Sequence, residues 1–180
     1  SGGADYRDRD WEFGLGFHQV GDGFNPEVGF LSRSDYRSVN ARTLRHIRFP
    51  NVPWFREIRP HVSWSEYWDM EWFSETRFIH IDNHFEFANG AFFQLPGFNI
   101  TGEGLKQPFE IRPGMFIPAG SYNNLDWQFR ANTNQSAPLS ASIGWDAGGF
   151  YTGTRVGPNG SGTYRCQDRL VPQLRLNNFV

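Results

Sequence analysis

Four polar residues that alternate along one short stretch have the types and the spacing of a metal site. His80, Asp82, His84 and Glu86 stand at every second position. Because successive side chains of a β-strand point to opposite faces, residues at this spacing share a face and lie about 6.5–7 Å apart. Imidazole and carboxylate groups bind Zn²⁺ and other divalent cations. The stretch is therefore a candidate divalent-metal site, and a polar face that holds only water is the alternative. We expect no other cofactor.

A second set of residues has the chemistry of a sugar-binding surface. Trp64, Tyr67, Trp68 and Trp72 fall within nine consecutive positions. The apolar face of a pyranose ring can pack on an aromatic plane, so exposed residues of this kind are candidate ligand-binding residues. Packing in a protein core or at a bilayer interface is the alternative. No catalytic residues are assigned, because the chain has no Gly-x-Ser-x-Gly elbow and no glycine-rich phosphate loop.

A long β-hairpin is predicted to position His80, Asp82, His84 and Glu86, which we call the polar row. Between residues 76 and 88 the polar row occupies even-numbered positions, which we call one parity of the strand. The odd-numbered positions, the other parity, hold Ile79, Ile81, Phe85 and Phe87. Alternation of this length predicts a strand with one polar and one apolar face. Asn89-Gly90 follows, a dipeptide that favours a two-residue turn in which both residues have positive φ. A second aromatic-rich strand is then predicted from residue 91 to 105.

The same alternation recurs along most of the chain. It predicts strands over 11–20, 62–70, 122–133, 140–151, 163–170 and 173–180, with a short strand and a turn in 108–120. Residues 35–49 fit either a helical stripe or a strand, and the sequence leaves both open. Prolines 50, 53 and 60 predict a segment that is not a central strand, because each proline lacks a ladder donor. The run Pro158 to Gly162 predicts a loop tip.

These elements predict an all-β fold in a single domain over residues 1–180. We expect an antiparallel meander of about eight or nine long strands, forming a β-barrel or a barrel-like sheet. Open edge strands of an incomplete barrel would invite pairing with another chain, so an edge-mediated homo-oligomer is a candidate assembly.

Composition excludes several other classes of protein. The formal net charge of -2 and the pI near 6.2 give no electrostatic basis for binding nucleic acid. Cys166 is the single cysteine, so an intrachain disulfide is excluded. No apolar run approaches the roughly 20 residues of a membrane-spanning helix. A chain with 17% aromatic residues but a mean hydropathy of -0.57 is typical of strands in which apolar and polar residues alternate.

The alternation fits two kinds of β protein. In a soluble barrel the apolar parity faces a packed core, whereas in an outer-membrane barrel it faces lipid and the polar parity faces a wet lumen. Predicted strands of 10 to 15 residues and aromatic residues near their ends favour the membrane barrel. Arg77 and Asn83 fall among the apolar positions of the predicted strand and argue against a membrane barrel.

Three segments carry a resemblance to a known family. They read NPEVGFLSRSDYRSV, NITGEGLKQPFEIRPGMFIPAGSYNNLDWQF and GGFYTGTR in chain order. Their order and spacing resemble a large β-barrel domain of unknown function that follows a family-9 carbohydrate-binding module in predicted outer-membrane proteins of Gram-negative bacteria. The resemblance implies that this chain is a fragment of a larger barrel.

The function expected from these observations is passage or docking of a substrate, with a glycan as the candidate ligand, by a barrel segment in contact with outer-membrane lipid. Two alternatives stay open. One is a soluble β-barrel, secreted or periplasmic, that binds carbohydrate through its aromatic residues. The other is a metal-dependent hydrolase that uses the face of His80, Asp82 and His84.

Overall fold

The computed structural model describes residues 1–24 and 33–165, together with the backbone of residues 173–177. Every regular element within these residues is a β-strand. The strands are β1 (Gly2–Arg7), β2 (Trp11–Val20), β3 (Tyr36–Arg45), β4 (Ile47–Arg48), β5 (Phe55–Asp69), β6 (Ser74–Phe87), β7 (Phe92–Leu105), β8 (Phe109–Arg112), β9 (Met115–Ile117), β10 (Gly120–Asn132), β11 (Leu139–Phe150), β12 (Gly153–Tyr164) and β13 (Gln173–Asn177). The described residues form no helix long and apolar enough to cross a membrane.

One large antiparallel sheet contains most of these strands. Its order is β1-β2-β3-β5-β6-β7-β10-β11-β12-β13, with the short β4 paired to β5, while β8 and β9 form a separate hairpin. The predicted all-β antiparallel meander is thus confirmed. Within the described residues β1 and β13 are the two ends of the sheet and do not pair with each other, so the sheet is not closed into a barrel.

The strand predictions hold for the central part of the chain. Residues 36–45 form the extended strand β3, which excludes the helical alternative for that segment. The segment 108–120 contains the hairpin of β8 and β9, as expected from its prolines and glycines. The predicted strand over 163–170 is wrong in its start, because β12 already covers residues 153–164, and its end from residue 166 lies outside the described residues, as does Cys166.

Pro60 lies inside the central strand β5, so the prediction that it marks a non-strand segment is wrong. The ladder from β5 to β3 ends at the pair His61–Leu44 and resumes with β4 at the pair Ile58–Ile47. Pro60 falls in the gap between these two ladders, so its missing N–H removes no bond to β3 or β4.

The run Pro158 to Gly162 also lies within a strand and not at the predicted loop tip. It belongs to β12, where Pro158 lies opposite Trp145 of β11. The described pairing with β13 begins next to it, at Asn159.

The turn of the central hairpin is longer than predicted. Gly90 has a φ of 83°, whereas Asn89 is not in the positive-φ region. The Asn89 side chain instead accepts a hydrogen bond from the Ala91 amide at 2.9 Å, and the Gly90 amide donates to Phe87 O at 3.0 Å. Only Gly90 therefore needs the conformational freedom of glycine.

Burial in this sheet runs opposite to that of a soluble protein. Among the described residues Ile117 is the only buried hydrophobic side chain, while nine polar or charged residues are buried. Those nine are Ser38, Glu57, Glu66, Asp69, Asp82, Gln94, Asn99, Asp126 and Ser140. We call the side of the sheet that carries Asp82 and its register partners the inner face, and the opposite side, which carries Ile81, the outer face.

Candidate functional site

A carboxylate surrounded by three imidazoles lies at the centre of the inner face. His61 of β5 lies directly opposite Asp82 of β6, and His80 and His84 flank Asp82 at two residues on either side. His80 Nε2 lies 2.9 Å and His84 Nε2 lies 3.2 Å from Asp82 Oδ2. We call these four residues the Asp82 cluster. The strand periodicity and the β5–β6 register together bring them to one point.

The other oxygen of this carboxylate is not satisfied. His61 Nδ1 lies 2.6 Å from Asp82 Oδ1, but the two groups are not aligned as a hydrogen bond, and both atoms are buried without a hydrogen-bond partner. The Asp82 side chain is only 1% exposed. An unpaired, buried carboxylate oxygen is costly unless a proton or a cation serves it.

Neighbouring side chains fix the orientation of the histidine rings. His80 Nδ1 lies 2.6 Å from Asn99 Oδ1 of β7, and the His80 ring stacks on Phe78 with 6.1 Å between ring centroids. The His84 ring meets Phe92 edge to face at 5.5 Å. The rings are therefore held by packing and hydrogen bonds, and a metal ligand benefits from this kind of support.

Gly97 of β7 allows the backbone of β10 and the Gln94 side chain to come close to the cluster. Gly97 lies opposite Asp82, and a Cβ at that position would lie 2.5 Å from Gln128 O and 3.0 Å from Gln94 Nε2. Any larger residue would thus displace the backbone of β10 or the Gln94 side chain.

The structure brings together three of the four predicted metal ligands. His80 and His84 contact Asp82, whereas Glu86 forms an ion pair with Arg59 away from the cluster. His61 was not predicted, yet His61, His80 and Asp82 each offer a ligand atom, and these atoms lie within 4.8 Å of one another. The missed signal was the continuation of the polar parity of β5 to His61.

The four predicted sugar-binding residues do not share one surface. Trp64 meets Trp68 edge to face at 6.3 Å, and Trp68 contacts Trp72 at 6.1 Å, in a chain of rings on the outer side. Tyr67 points to the inner face, where its ring lies 5.5 Å from that of Tyr36. Trp64 is also held by a hydrogen bond from its indole Nε1 to the Glu66 carboxylate at 3.1 Å.

Elsewhere on the inner face, carboxylates are paired with guanidinium groups. Asp126 is 1% exposed and forms an ion pair with Arg155. Gly148, opposite Asp126, provides the space that this carboxylate fills, since a Cβ there would collide with it.

A second histidine on this face has a different environment from the Asp82 cluster. His46 lies between Glu57 Oε2 at 3.1 Å and Glu12 Oε1 at 3.3 Å. Both carboxylates also have arginine partners, with Arg7 2.6 Å from Glu12 and Arg48 3.6 Å from Glu57. The carboxylates around His46 are therefore already neutralised by fixed cations.

Two groups of aromatic residues on the outer face lie along β5. One group surrounds Phe55 and contains Phe49, Trp54, Phe85, Phe87 and Phe93, and the other is the chain of Trp64, Trp68 and Trp72. The first lies at the start of β5 and the second at its end. All seven tryptophans lie on the outer side: Trp11, Trp54, Trp64, Trp68, Trp72, Trp127 and Trp145.

An ion pair joins two connections at one end of the sheet. Lys106, just after β7, pairs with Asp69 at the β5–β6 turn, and its Nζ lies 3.0 Å from the Glu71 carboxylate. The Lys106 ammonium, together with amide bonds from Phe73 and Glu71, lowers the pKa of Asp69 below its usual value. Bonding to Asp69 and then Glu71 raises the pKa of Lys106.

No known protein family, curated protein or solved structure matches this chain. The resemblance to the barrel domain of outer-membrane proteins stays a prediction.

Proposed function

We propose that this chain forms part of the wall of an outer-membrane β-barrel, with its outer face against lipid and its inner face towards a lumen through which a substrate passes or at which it docks. Antiparallel strands of 10 to 15 residues suit this role, because about 9–11 tilted residues cross a bilayer.

The observation that carries the proposal is the inverted burial of the two faces. Leu125, Ile143 and Trp127 of the outer face are 48%, 59% and 55% exposed, whereas Asp126 between them is 1% exposed. Exposed apolar surface on this scale is a liability in water. In a lipid bilayer it becomes the favourable surface, and the polar face becomes the lining of a wet interior.

The two aromatic groups add support through their spacing. At about 3.4 Å per residue, the strand from Phe55 to Trp68 is about 44 Å long, which is about 34 Å along the axis of a barrel whose strands tilt by about 40°. The hydrocarbon core of a bilayer is about 30 Å thick, and aromatic residues concentrate at its two interfaces. The groups are therefore spaced as a pair of interfacial girdles.

Two charged residues of the outer face, Arg77 and Glu66, lie where this arrangement tolerates them. Arg77 donates to Asn123 Oδ1 at 2.6 Å, and Glu66 accepts from Ser74 at 2.7 Å, both near the end of β5 that carries Trp68. A charge near the interface costs far less than one at the bilayer midplane.

In a bilayer the edges of the sheet need partners. An unpaired strand edge leaves backbone groups without hydrogen bonds, which lipid cannot supply. Further strands of a larger barrel or a second copy of this chain would pair with β1 and β13. A homo-oligomer is therefore one form that the closed barrel can take.

A glycan is the proposed substrate class, from the resemblance to a domain that accompanies a carbohydrate-binding module. The inner face offers groups that hydrogen-bond sugar hydroxyls, among them Gln94 and Gln128, whose side chains bond each other at 3.0 Å. Tyr67 faces the same side, so stacking would occur there and not on Trp64. We expect Tyr67→Ala to weaken glycan binding by up to about tenfold, the equivalent of about 1.4 kcal/mol, with Trp64→Ala as the neutral control.

Dilution from urea tests the wall proposal. We expect the chain to acquire β structure in phospholipid vesicles or detergent micelles and to aggregate in buffer alone. A chain that is folded and monomeric in buffer without detergent would overturn the proposal and leave the soluble carbohydrate-binding barrel as the better account.

A further inference from the structure

We propose that the Asp82 cluster binds one first-row divalent transition metal ion, with His61, His80 and Asp82 as ligands and His84 completing the set. The ligand atoms lie on two adjacent strands, β5 and β6, so the ion would tie these strands together on the inner face. The proposal does not depend on whether the outer face meets lipid.

The hydrogen bonds of His80 require a positive species next to Asp82. Asn99 Oδ1 accepts from His80 Nδ1 at 2.6 Å, so the proton of a neutral imidazole lies on Nδ1. His80 Nε2 then directs a lone pair at Asp82 Oδ2, 2.9 Å away. Two acceptors at this distance repel each other unless a proton or a metal ion lies between them.

The unpaired atoms of the cluster give a second, independent reason. Asp82 Oδ1 and His61 Nδ1 are buried, face each other at 2.6 Å and have no hydrogen-bond partner. A metal ion would bind both. Ligand atoms of a tetrahedral Zn²⁺ site are about 3.4 Å apart for bonds of about 2.0–2.1 Å, so these two groups need to separate by less than about 1 Å.

Protonation of more than one histidine is a poor solution for this cluster. The ring of His61 lies 5.1 Å from that of His80 and 5.0 Å from that of His84. Two imidazolium ions at this distance would repel each other around a single carboxylate. Within the described part of the chain, no lysine or arginine lies within 4.0 Å of Asp82. One divalent ion bound by neutral imidazoles supplies the missing positive charge without that repulsion.

The donor set determines which metals fit. Imidazole nitrogen with a single carboxylate suits Zn²⁺, Fe²⁺, Ni²⁺ or Cu²⁺, whereas Mg²⁺ and Ca²⁺ prefer sets made of oxygen. Asn99 orients His80 from outside the set, as the partner of a metal-binding histidine commonly does. Gly97 places no side chain beside Asp82, and the backbone of β10 and the Gln94 amide fill the space there.

Titration calorimetry tests the site on the tag-free chain, folded in detergent and stripped of metal by a chelator. We expect one Zn²⁺ per chain and no measurable heat with Mg²⁺ at the same concentration. His61→Ala and His80→Ala should each weaken Zn²⁺ binding by at least about tenfold. His18→Ala and His46→Ala are the matched controls, because His18 lies outside the Asp82 cluster and the carboxylates at His46 already have arginine partners.

Co²⁺ absorption provides a readout on the unmodified chain, in case a variant does not fold. Intense visible bands are expected for four-coordinate Co²⁺ bound by histidine and carboxylate, and added Zn²⁺ should remove them. Absence of stoichiometric Zn²⁺ and Co²⁺ binding in the folded chain would overturn the proposal. Equal Zn²⁺ affinity in the folded His61→Ala variant would do the same, since this residue links the cluster across the two strands.

Discussion

Leu125 and Asp126 are neighbours in the chain and belong to opposite faces of the same sheet. The leucine is 48% exposed and the aspartate is 1% exposed, where a soluble protein would reverse the two values. The same contrast separates Ile81, 39% exposed, from Asp82, 4% exposed. The comparison shows that polar side chains of this sheet are buried and apolar ones are exposed. This is the reverse of what the hydrophobic effect produces in water. Ion pairs and hydrogen bonds hold the inner face together, and in the proposed arrangement the outer face meets an apolar solvent.

The largest expected effect comes from a charge placed on the outer face. Leu125→Arg should lower the free energy of unfolding in phospholipid vesicles by about 2–4 kcal/mol, because the position lies near the middle of the proposed apolar band. Asn124→Arg, one residue away on the inner face, is the matched control and should cost much less. Urea titration of the chain in vesicles measures both.

If Leu125→Arg left stability unchanged, the outer face would be in water, where an exposed leucine is replaced at little cost. The contrast between the two faces would then have lost its physical basis.

A smaller effect is expected from the inner face. Arg155→Met removes the guanidinium that pairs with Asp126 and leaves a buried carboxylate without a partner. We expect a loss of about 1–3 kcal/mol in the same urea titration. Arg7→Met is the control, because Arg7 is 73% exposed and Glu12 retains His46, so its loss should be about 0–1 kcal/mol. Equal losses would show that the burial of Asp126 adds nothing to the strength of its ion pair.

The smallest effect concerns the pH dependence of stability, which involves the pair of Lys106 and Asp69 at one end of the sheet. Lys106 lowers the pKa of Asp69, so the carboxylate stabilises the fold above the pKa of the unfolded chain, near 4. That contribution is lost as the pH falls through the lowered pKa of the folded state. Lys106→Met should therefore flatten the fall of stability between about pH 4 and pH 2. Urea midpoints measured across this range should differ in slope between the two proteins, and parallel curves would contradict the pairing.

The strands could be predicted from the sequence because period-two alternation directly reflects the geometry of a strand. The position of Pro60 inside β5 could not be predicted, because it depends on whether the neighbouring strand requires a donor at that residue. Which face is buried was also beyond the pattern. Alternation is identical whether the apolar side chains meet a core or lipid, whereas the structure shows that Leu125 is exposed and Asp126 is buried.

The Asp82 cluster was predicted in part for a related reason. His80, Asp82 and His84 share one strand, so their common side follows from the sequence alone. His61 enters through the pairing of β5 with β6, which a short turn over residues 70–73 determines. Glu86 has the right parity but lies opposite Glu57, beside Arg59, whose guanidinium pairs with it. The alternation along a strand shows which face a residue occupies. Its partner on the next strand depends on the register of the pairing.

Quenching of tryptophan fluorescence by brominated phospholipids tests the central claim most directly. All seven tryptophans lie on the outer side, so the whole signal reports on what that side meets. The account predicts strong quenching in vesicles of brominated lipid relative to vesicles of the same lipid without bromine, with acrylamide in the water having little effect. A folded chain whose fluorescence is the same in both kinds of vesicle would contradict the account.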